Sequence, residues 1–104
     1  MKDWNIEELT GYKPKTTFYT DLSIADKYGK SGILDTYDRV FDAWKTDTEY
    51  FTEFIMALNW KIYEHYKTNK PIAIVYNELW QKAEEYVYNN WNETQLDYYY
   101  RTTD

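Results

Sequence analysis

The stretch TDTEYFTEFIMALNWKIYEHYKTN, residues 46–69, has the apolar spacing of a long α-helix. At about 100° per residue, one arc of this helix carries Phe51, Phe54, Ile55, Leu58, Ile62, His65 and Tyr66. A second apolar stripe, formed by Met56, Trp60 and Tyr63, lies across from that arc. A helix that is apolar on two sides either lies at the centre of a bundle or presents one side to a partner. We expect the central position, which is the commoner arrangement in a bundle of about four helices.

Two helices are predicted before this central one. The segment YTDLSIADKYG, residues 19–29, predicts a helix with Thr20 as its cap and Gly29 as its stop. The next helix is predicted to begin after Ser31, its expected cap, and to run to about Lys45. These two helices precede the central one along the chain.

Capping patterns also mark the central helix and the helices after it. Thr46 and Glu49 match a capping box at the start of the central helix. Pro71 suits the first turn of a following helix, since its missing N–H is not needed there, and that helix is predicted to end near Asn90. The pattern of residues 92–95 predicts one more short helix.

The fold class follows from these helices. No segment alternates convincingly between apolar and polar residues as a strand would, and the connections between helices are short. Short connections favour antiparallel neighbours. We therefore expect an all-α protein, a compact antiparallel bundle of about four helices plus a short C-terminal helix. Residues 1–17 are predicted to form an irregular N-terminal arm, and residues 18–104 a single helical domain.

Composition excludes several classes of function. Hydrophobic residues make up 43% and aromatic residues 21% of the 104 residues, which is enough apolar area to favour a folded domain. The net charge of −6 argues against nucleic acid and against an anionic membrane surface as partners. Cysteine is absent, so thiolate chemistry is excluded. No apolar run approaches the length of a membrane span, and we expect the chain to remain in the cytoplasm.

An acidic face is predicted on the second helix. In ILDTYDRVFDAWKTD, residues 33–47, the aspartates Asp35, Asp38 and Asp42 fall within about 60° of arc, nearly opposite the apolar side. A solvated helix face is the commoner explanation. The alternative is a patch that meets Lys and Arg side chains of a partner protein. Imitation of DNA is not expected, because these charges recur about every 3.5 to 5 Å against roughly 1.7 Å along a duplex.

A second candidate contact surface is the stripe of Met56, Trp60 and Tyr63. If the central helix presented this side to solvent, the stripe would be a plausible binding hot spot, because a fully desolvated Trp contributes about 2 kcal/mol or more to binding.

Catalytic patterns are mostly absent. His65 is the only histidine, and we expect it to be packed or hydrogen-bonded rather than a base or a ligand. The pairs Glu49 with Glu53 and Asp38 with Asp42 have a spacing that can hold a divalent cation, but it is common on solvated helices. No glycine-rich phosphate loop is present. We therefore predict no catalytic residue, no metal site and no cofactor, and a protein that is not an enzyme.

Five segments of the chain carry a resemblance to known proteins: TFYTDLSIADKYG, DTYDRVFDAWK, YFTEFIMALNWKIYEHY, YNELWQKAEEYV and YYYRTTD. Together they resemble a family of small proteins encoded by phages and prophages of Gram-positive bacteria, over about residues 17–104. The resemblance implies a setting in the cytoplasm of a bacterial host, but no activity and no functional residue can be transferred through it.

The leading hypothesis is a phage accessory protein that binds and blocks a host protein, such as a CRISPR effector or another defence nuclease. It would use the acidic face or the stripe of the central helix. One alternative is a self-associating structural or regulatory phage protein, with that stripe as a homodimer seam. A second alternative is a metal-dependent enzyme built on a carboxylate pair.

Overall fold

The computed structural model of the chain describes residues 18–103, so the arm predicted for residues 1–17 lies outside the described part. The described helices are α1 Phe18–Ala25, α2 Gly29–Trp44, α3 Thr48–His65, α4 Lys70–Asn90 and α5 Glu93–Thr103, with a 3-10 turn, Asp26–Tyr28, between α1 and α2. No strand occurs between residues 18 and 103. The predicted all-α bundle with a short C-terminal helix is confirmed. None of these helices is both long and apolar enough to cross a bilayer.

Helix α3 occupies the centre of the bundle. Every residue from Phe51 to Asn59 is buried, whichever side of the helix it lies on. Each of the other four described helices packs against α3, and α4 does so most extensively. The two apolar stripes predicted for this helix therefore both face neighbouring helices, and the expected central position is confirmed.

Aromatic rings fill much of the core around the start of α3. The ring of Phe51 lies 5.9 Å from Phe41, 6.0 Å from Phe54, 6.2 Å from Tyr86 and 6.1 Å from Trp91, measured between centroids. Three of these pairs are edge-to-face, an arrangement that ring quadrupoles favour by about 0.5 to 1.5 kcal/mol beyond area burial. Phe51 thus joins α2, α3, α4 and the residue that follows α4.

Helix α3 begins and ends at different residues from those predicted. Asp47 is its cap, because the carboxylate oxygen accepts a 2.9 Å hydrogen bond from the backbone N–H of Tyr50. The predicted capping box of Thr46 and Glu49 is therefore wrong by one position. The helix ends at His65 rather than near residue 69, since Asn69 caps α4 with a 3.4 Å bond from Ile72 N–H.

The predictions for the starts of α4 and α5 hold. Pro71 lies in the first turn of α4, and that helix ends at Asn90. Asn92 and Gln95 form a reciprocal capping box, with backbone to side-chain distances of 3.2 and 2.9 Å. The Gln95 amide also donates a 2.9 Å bond to Thr48 Oγ1, which fastens the start of α5 to the start of α3.

The corner between α1 and α2 differs from its prediction. Helix α2 begins at Gly29, so Ser31 is an exposed residue of its first turn and not its cap; Thr20 likewise lies within α1. The 3-10 turn leads directly into α2, and Gly29 redirects the chain with a φ of 70°, a left-handed value that glycine adopts at little cost. Gly32 then passes close to the turn. A Cβ on Gly32 would lie 2.7 Å from Tyr28 Cβ and 2.9 Å from the carbonyl oxygen of Ala25.

Replacing Gly32 with alanine is expected to destabilise the protein. The clash involves backbone and Cβ atoms, which cannot move aside cheaply, so the cost of overpacking, about 1 to 3 kcal/mol, should exceed the roughly 1 kcal/mol that alanine gains in helix propensity. Urea denaturation measures the free energy of unfolding. Ser31→Ala, at an exposed position of the same turn, is the control and should change stability little. Equal or higher stability of Gly32→Ala would contradict the close approach.

Candidate functional site

The three predicted aspartates lie in solvent. Asp35, Asp38 and Asp42 are all exposed on α2, opposite the buried side chains of Ile33, Tyr37 and Val40. Asp35 forms a 3.0 Å ion pair with Arg39, in which both side chains are about two-thirds or more exposed. The acidic face therefore exists as a surface, and it is available to a partner.

The second predicted surface is largely enclosed. Met56 is only 6% exposed, while Trp60 and Tyr63 are half-buried. The ring of Trp60 packs edge-on against Tyr19 at 6.1 Å, and Tyr63 packs against Tyr66 at 6.0 Å. Because α3 is central, this stripe does not form an exposed docking patch, and Met56 cannot reach a partner in this fold.

A group of polar residues gathers where α1 and the 3-10 turn meet α3 and α4. We call it the Lys61 cluster; it comprises Ser23, Asp26, Lys61, Glu64, His65 and Tyr76. The ammonium of Lys61 lies 2.8 Å from Asp26 Oδ2 and 3.0 Å from Ser23 Oγ, and it is also hydrogen-bonded to the Glu64 carboxylate. Lys61 is 2% exposed. A buried charge is tolerated only when it is paired, and here two carboxylates pair it.

The other members of the Lys61 cluster hold Asp26 in place. His65 Nε2 lies 3.0 Å from Asp26 Oδ2, and the imidazole stacks on the Tyr76 ring with 6.0 Å between centroids. The Tyr76 hydroxyl is hydrogen-bonded to Asp26 Oδ1 and lies 3.2 Å from the carbonyl oxygen of Leu22. His65 is thus packed and hydrogen-bonded, as predicted from its position at the edge of the core arc.

The ionisation of this cluster follows from its contacts. Burial alone would raise the pKa of Asp26, but hydrogen bonds from Lys61, Tyr76 and His65 outweigh it and hold the pKa below its usual value. The pKa of Glu64 is lowered in the same way, since hydrogen bonds from Lys61 and Tyr19 outweigh its burial. Burial would lower the pKa of Lys61, but its hydrogen bonds to the two carboxylates raise it. All three groups are therefore charged at neutral pH.

Nucleophilic catalysis by this cluster is not supported by its geometry. A serine beside a lysine resembles a Ser–Lys dyad, in which a neutral amine takes the hydroxyl proton. Lys61 faces two carboxylates that raise its pKa, so the ammonium keeps its proton and cannot accept one from Ser23. The arrangement is that of a structural ion pair rather than an activated nucleophile.

The same cluster contains a set of metal-ligating atoms. Oxygens of Asp26 and Glu64 and a ring nitrogen of His65 all lie within 4.8 Å of one another. Two of these three residues are also the anionic partners of the Lys61 ammonium. A divalent cation placed among the ligands would therefore meet a buried positive charge at close range. The ammonium of Lys61 supplies the positive charge that a metal ion would otherwise bring to these carboxylates.

A groove of about 880 Å³ lies between α1 and α2. Its lining residues come from both helices, from the turn between them and from the start of α3: Phe18, Asp21, Ile24, Ala25, Tyr28, Gly32, Asp35, Thr36, Arg39, Val40, Trp44 and Tyr50. We call this feature the α1–α2 groove. Trp44 and Tyr50 pack edge-on at one end, with 4.6 Å between ring centroids.

The α1–α2 groove combines exposed apolar side chains with carboxylates. Ile24 is 51%, Tyr28 74% and Tyr50 40% exposed, so three of the seven large hydrophobic side chains exposed in the described part line this one feature. Asp21 and Asp35 also line it. An exposed apolar concentration with a polar rim is the usual sign of an interaction site.

The acidic face adjoins the groove at Asp35, which belongs to both. At about 100° per residue, Asp42 and Asp38 follow Asp35 around α2 within about 60°, on the side away from the groove. We call Asp21, Asp35, Asp38 and Asp42 the acidic lip. Arg39 is the single cation among the groove-lining residues, and its guanidinium is paired with Asp35.

Sequence reasoning missed both the Lys61 cluster and the groove. Lys61 was the one available signal, as a charged residue within the apolar run IMALNWKIY, with Glu64 and His65 on the same side of α3. Their partner Asp26 is 39 positions from His65, so no local pattern connects them. The groove depends on how α1 and α2 are placed, and Ile24 and Tyr28 carry no pattern of their own.

Comparison of this chain with profiles of known protein families, with curated proteins and with solved structures gives no significant match. The resemblance to phage proteins therefore remains a prediction.

Replacing Lys61 with methionine is expected to lower the free energy of unfolding by about 3 kcal/mol or more, because two carboxylates lose the buried charge that pairs them. Zn²⁺ should raise the melting temperature of this variant, since the vacated position is surrounded by two carboxylates and an imidazole. The melting temperature of the wild-type protein should not respond. Thermal denaturation with and without Zn²⁺ measures both effects.

Two controls make this test specific. Arg39→Met removes an exposed ion pair and should cost no more than about 1 kcal/mol. Lys61→Met combined with Asp26→Asn removes a ligand and should lose the response to Zn²⁺. A wild-type protein stabilised by Zn²⁺ would show that Lys61 does not exclude a metal ion from the site.

Stability should fall on acidification. The lowered pKa values of Asp26 and Glu64 mean that their contribution is fully present above their ordinary values, 3.8 and 4.5, and is lost as the pH falls through the lower values of the folded protein. Glu84 acts with the opposite sign, because burial raises the pKa of its carboxyl. Urea denaturation between about pH 6 and about pH 3 should therefore show a shallower loss for Asp26→Asn and a steeper loss for Glu84→Gln. Identical slopes for all three proteins would contradict these assignments.

Proposed function

We propose that the chain is a small phage accessory protein that binds a host protein and blocks it, with the α1–α2 groove and the acidic lip as its contact surface. A CRISPR effector or another defence nuclease is the kind of host protein intended, and the setting is the cytoplasm of the bacterial host. The observation that carries the proposal is the exposure of Ile24, Tyr28 and Tyr50 around one groove.

Binding fits this chain better than catalysis does. The Lys61 cluster has its charges satisfied internally, so it offers no activated nucleophile. The α1–α2 groove is the reverse case, because three of its apolar side chains, Ile24, Tyr28 and Tyr50, are still in contact with water. Covering Tyr28, which is 74% exposed, would remove a large aromatic area from water, and such rings are enriched among binding hot spots.

The acidic lip favours a basic partner surface. Four carboxylates stand on it, and Arg39 is the one cation that lines the groove beside them. The net charge of the chain is −6, so its long-range field also attracts a positively charged protein. A nuclease that holds nucleic acid in a basic channel would offer such a surface. Blocking would then follow from occupation of that channel or of its entrance.

The homodimer alternative has less support. It would use the stripe of Met56, Trp60 and Tyr63, of which Met56 is 6% exposed and the other two are half-buried. Light scattering distinguishes the homodimer from a protein that binds a host partner, since a monomeric mass at working concentration would contradict the homodimer alternative.

Affinity capture from lysates of Gram-positive hosts tests the proposed function. We expect the wild-type protein to retain one host protein in stoichiometric amount and to inhibit the activity of that protein once it is identified. Tyr28→Lys should lose the partner, since it places a charge where apolar contact is needed. Tyr100→Lys is the matched control, because Tyr100 is another exposed tyrosine, 46% accessible, on α5.

A second pair of variants tests the acidic lip. Asp38→Asn with Asp42→Asn should weaken the captured complex and reduce its sensitivity to salt. Glu78→Gln with Glu85→Gln removes the same charge from exposed positions of α4 and should have little effect. Recovery of no partner from several hosts, or of one that all four variants bind equally well, would count against the proposed function.

A further inference from the structure

The walls of the α1–α2 groove restrict what can bind there. Both long walls are helices, whose backbone N–H and C=O groups are already bonded within the helix. No strand edge exists between residues 18 and 103 to which an extended peptide could add. An extended segment pressed into the groove would leave its own backbone groups without partners, which is costly. A helical segment satisfies its own backbone and needs only side-chain contacts.

The length of the groove also suits a helix. Along α2 its lining runs from Gly32 to Trp44. Twelve steps at about 1.5 Å correspond to about 18 Å, or roughly three turns of a helix lying alongside. The exposed apolar lining at Ile24, Tyr28 and Tyr50 would accept side chains that recur every three or four residues on the occupant.

The charges beside the groove favour basic residues on both sides of the apolar stripe of such a helix. Asp21 stands on the α1 wall and Asp35 on the α2 wall, with Asp38 and Asp42 beyond it, and all four are exposed. The single guanidinium in the lining, that of Arg39, is held by Asp35 at 3.0 Å. Lysines or arginines flanking the apolar stripe of the occupant would meet carboxylates on both sides of the groove.

We infer that the α1–α2 groove binds an amphipathic helix of about three turns, with an apolar stripe at i, i+3, i+4 and i+7 and with lysines or arginines on both flanks of that stripe. This rests on the proposed function and names the segment of the partner that makes the contact. Ile24 and Tyr28 bury against the apolar stripe, and the acidic lip pairs with the basic flanks.

Selection from a displayed library of random 16-residue peptides tests this inference. The wild-type protein is the bait, and peptides that also bind Tyr28→Lys are removed in each round. Enriched sequences should share the helical apolar period and carry lysine or arginine beside it. Synthetic copies should gain helical circular dichroism on binding, should bind Tyr100→Lys as tightly as the wild type, and should bind Asp38→Asn with Asp42→Asn about three- to tenfold more weakly.

Other outcomes overturn the inference. Absence of enrichment, enriched sequences that are acidic, proline-rich or without a helical period, or peptides that bind without gaining helix would each do so. Failure of the proposed function gives a different result. Basic helical peptides that bind the groove while no host protein is captured would leave the inference standing and remove the proposed function. If a host protein is captured by the wild type and not by Tyr28→Lys, but no helical peptide is enriched, the proposed function stands and the inference is wrong.

Discussion

The position of α3 imposes the constraint on which the rest of the fold depends. Helix α3 is buried on all sides from Phe51 to Asn59, and Lys61, which follows this stretch, is only 2% exposed. The charge of a buried ammonium has to be balanced, and Glu64 on the same helix supplies only part of the balance. Asp26 supplies the rest from the corner between α1 and α2. The buried charge of the central helix therefore fixes the turn between α1 and α2, which belongs to an earlier part of the chain.

The same ion pair positions the candidate binding surface. Asp26 stands directly after Ala25 and two residues before Tyr28, and both of these line the α1–α2 groove. Holding Asp26 against Lys61, His65 and Tyr76 therefore holds the wall from which Tyr28 projects. The close passage of Gly32 over this turn keeps α2 near α1 at the same point. A surface that keeps its shape before binding loses less conformational entropy when a partner binds.

Local patterns in the sequence predicted the features that depend on neighbouring residues alone, namely the apolar faces of the helices and the starts of some of them. The apolar period placed α3 at the centre and α2 with its aspartates in water. The starts of α4 and α5 were readable because Pro71 and the pair of Asn92 and Gln95 each act within the first turn of their helix. The cap of α3 was misplaced because Asp47 stands next to Thr46 and competes for the same role. The Lys61 cluster joins segments far apart in sequence, whereas the groove depends on how the consecutive helices α1 and α2 are placed. Nothing in the period of either helix shows which aspartate will meet Lys61, or that Gly32 allows α1 and α2 to lie close enough to form a groove.

The two polar regions of the described protein differ in where interaction free energy is still available. In the Lys61 cluster the ammonium, two carboxylates, an imidazole and a phenol are bonded to one another, so a new ligand would have to break those bonds before making its own. Along the α1–α2 groove Ile24, Tyr28 and Tyr50 remain hydrated, and two carboxylates stand beside the one cation in the lining. A partner that covers this surface gains apolar burial and charge pairing, and the one ion pair it could disturb in the groove lining is the exposed and therefore weak pair of Asp35 and Arg39. For that reason we assign the cluster to the stability of the fold, and we keep the groove as the proposed contact surface.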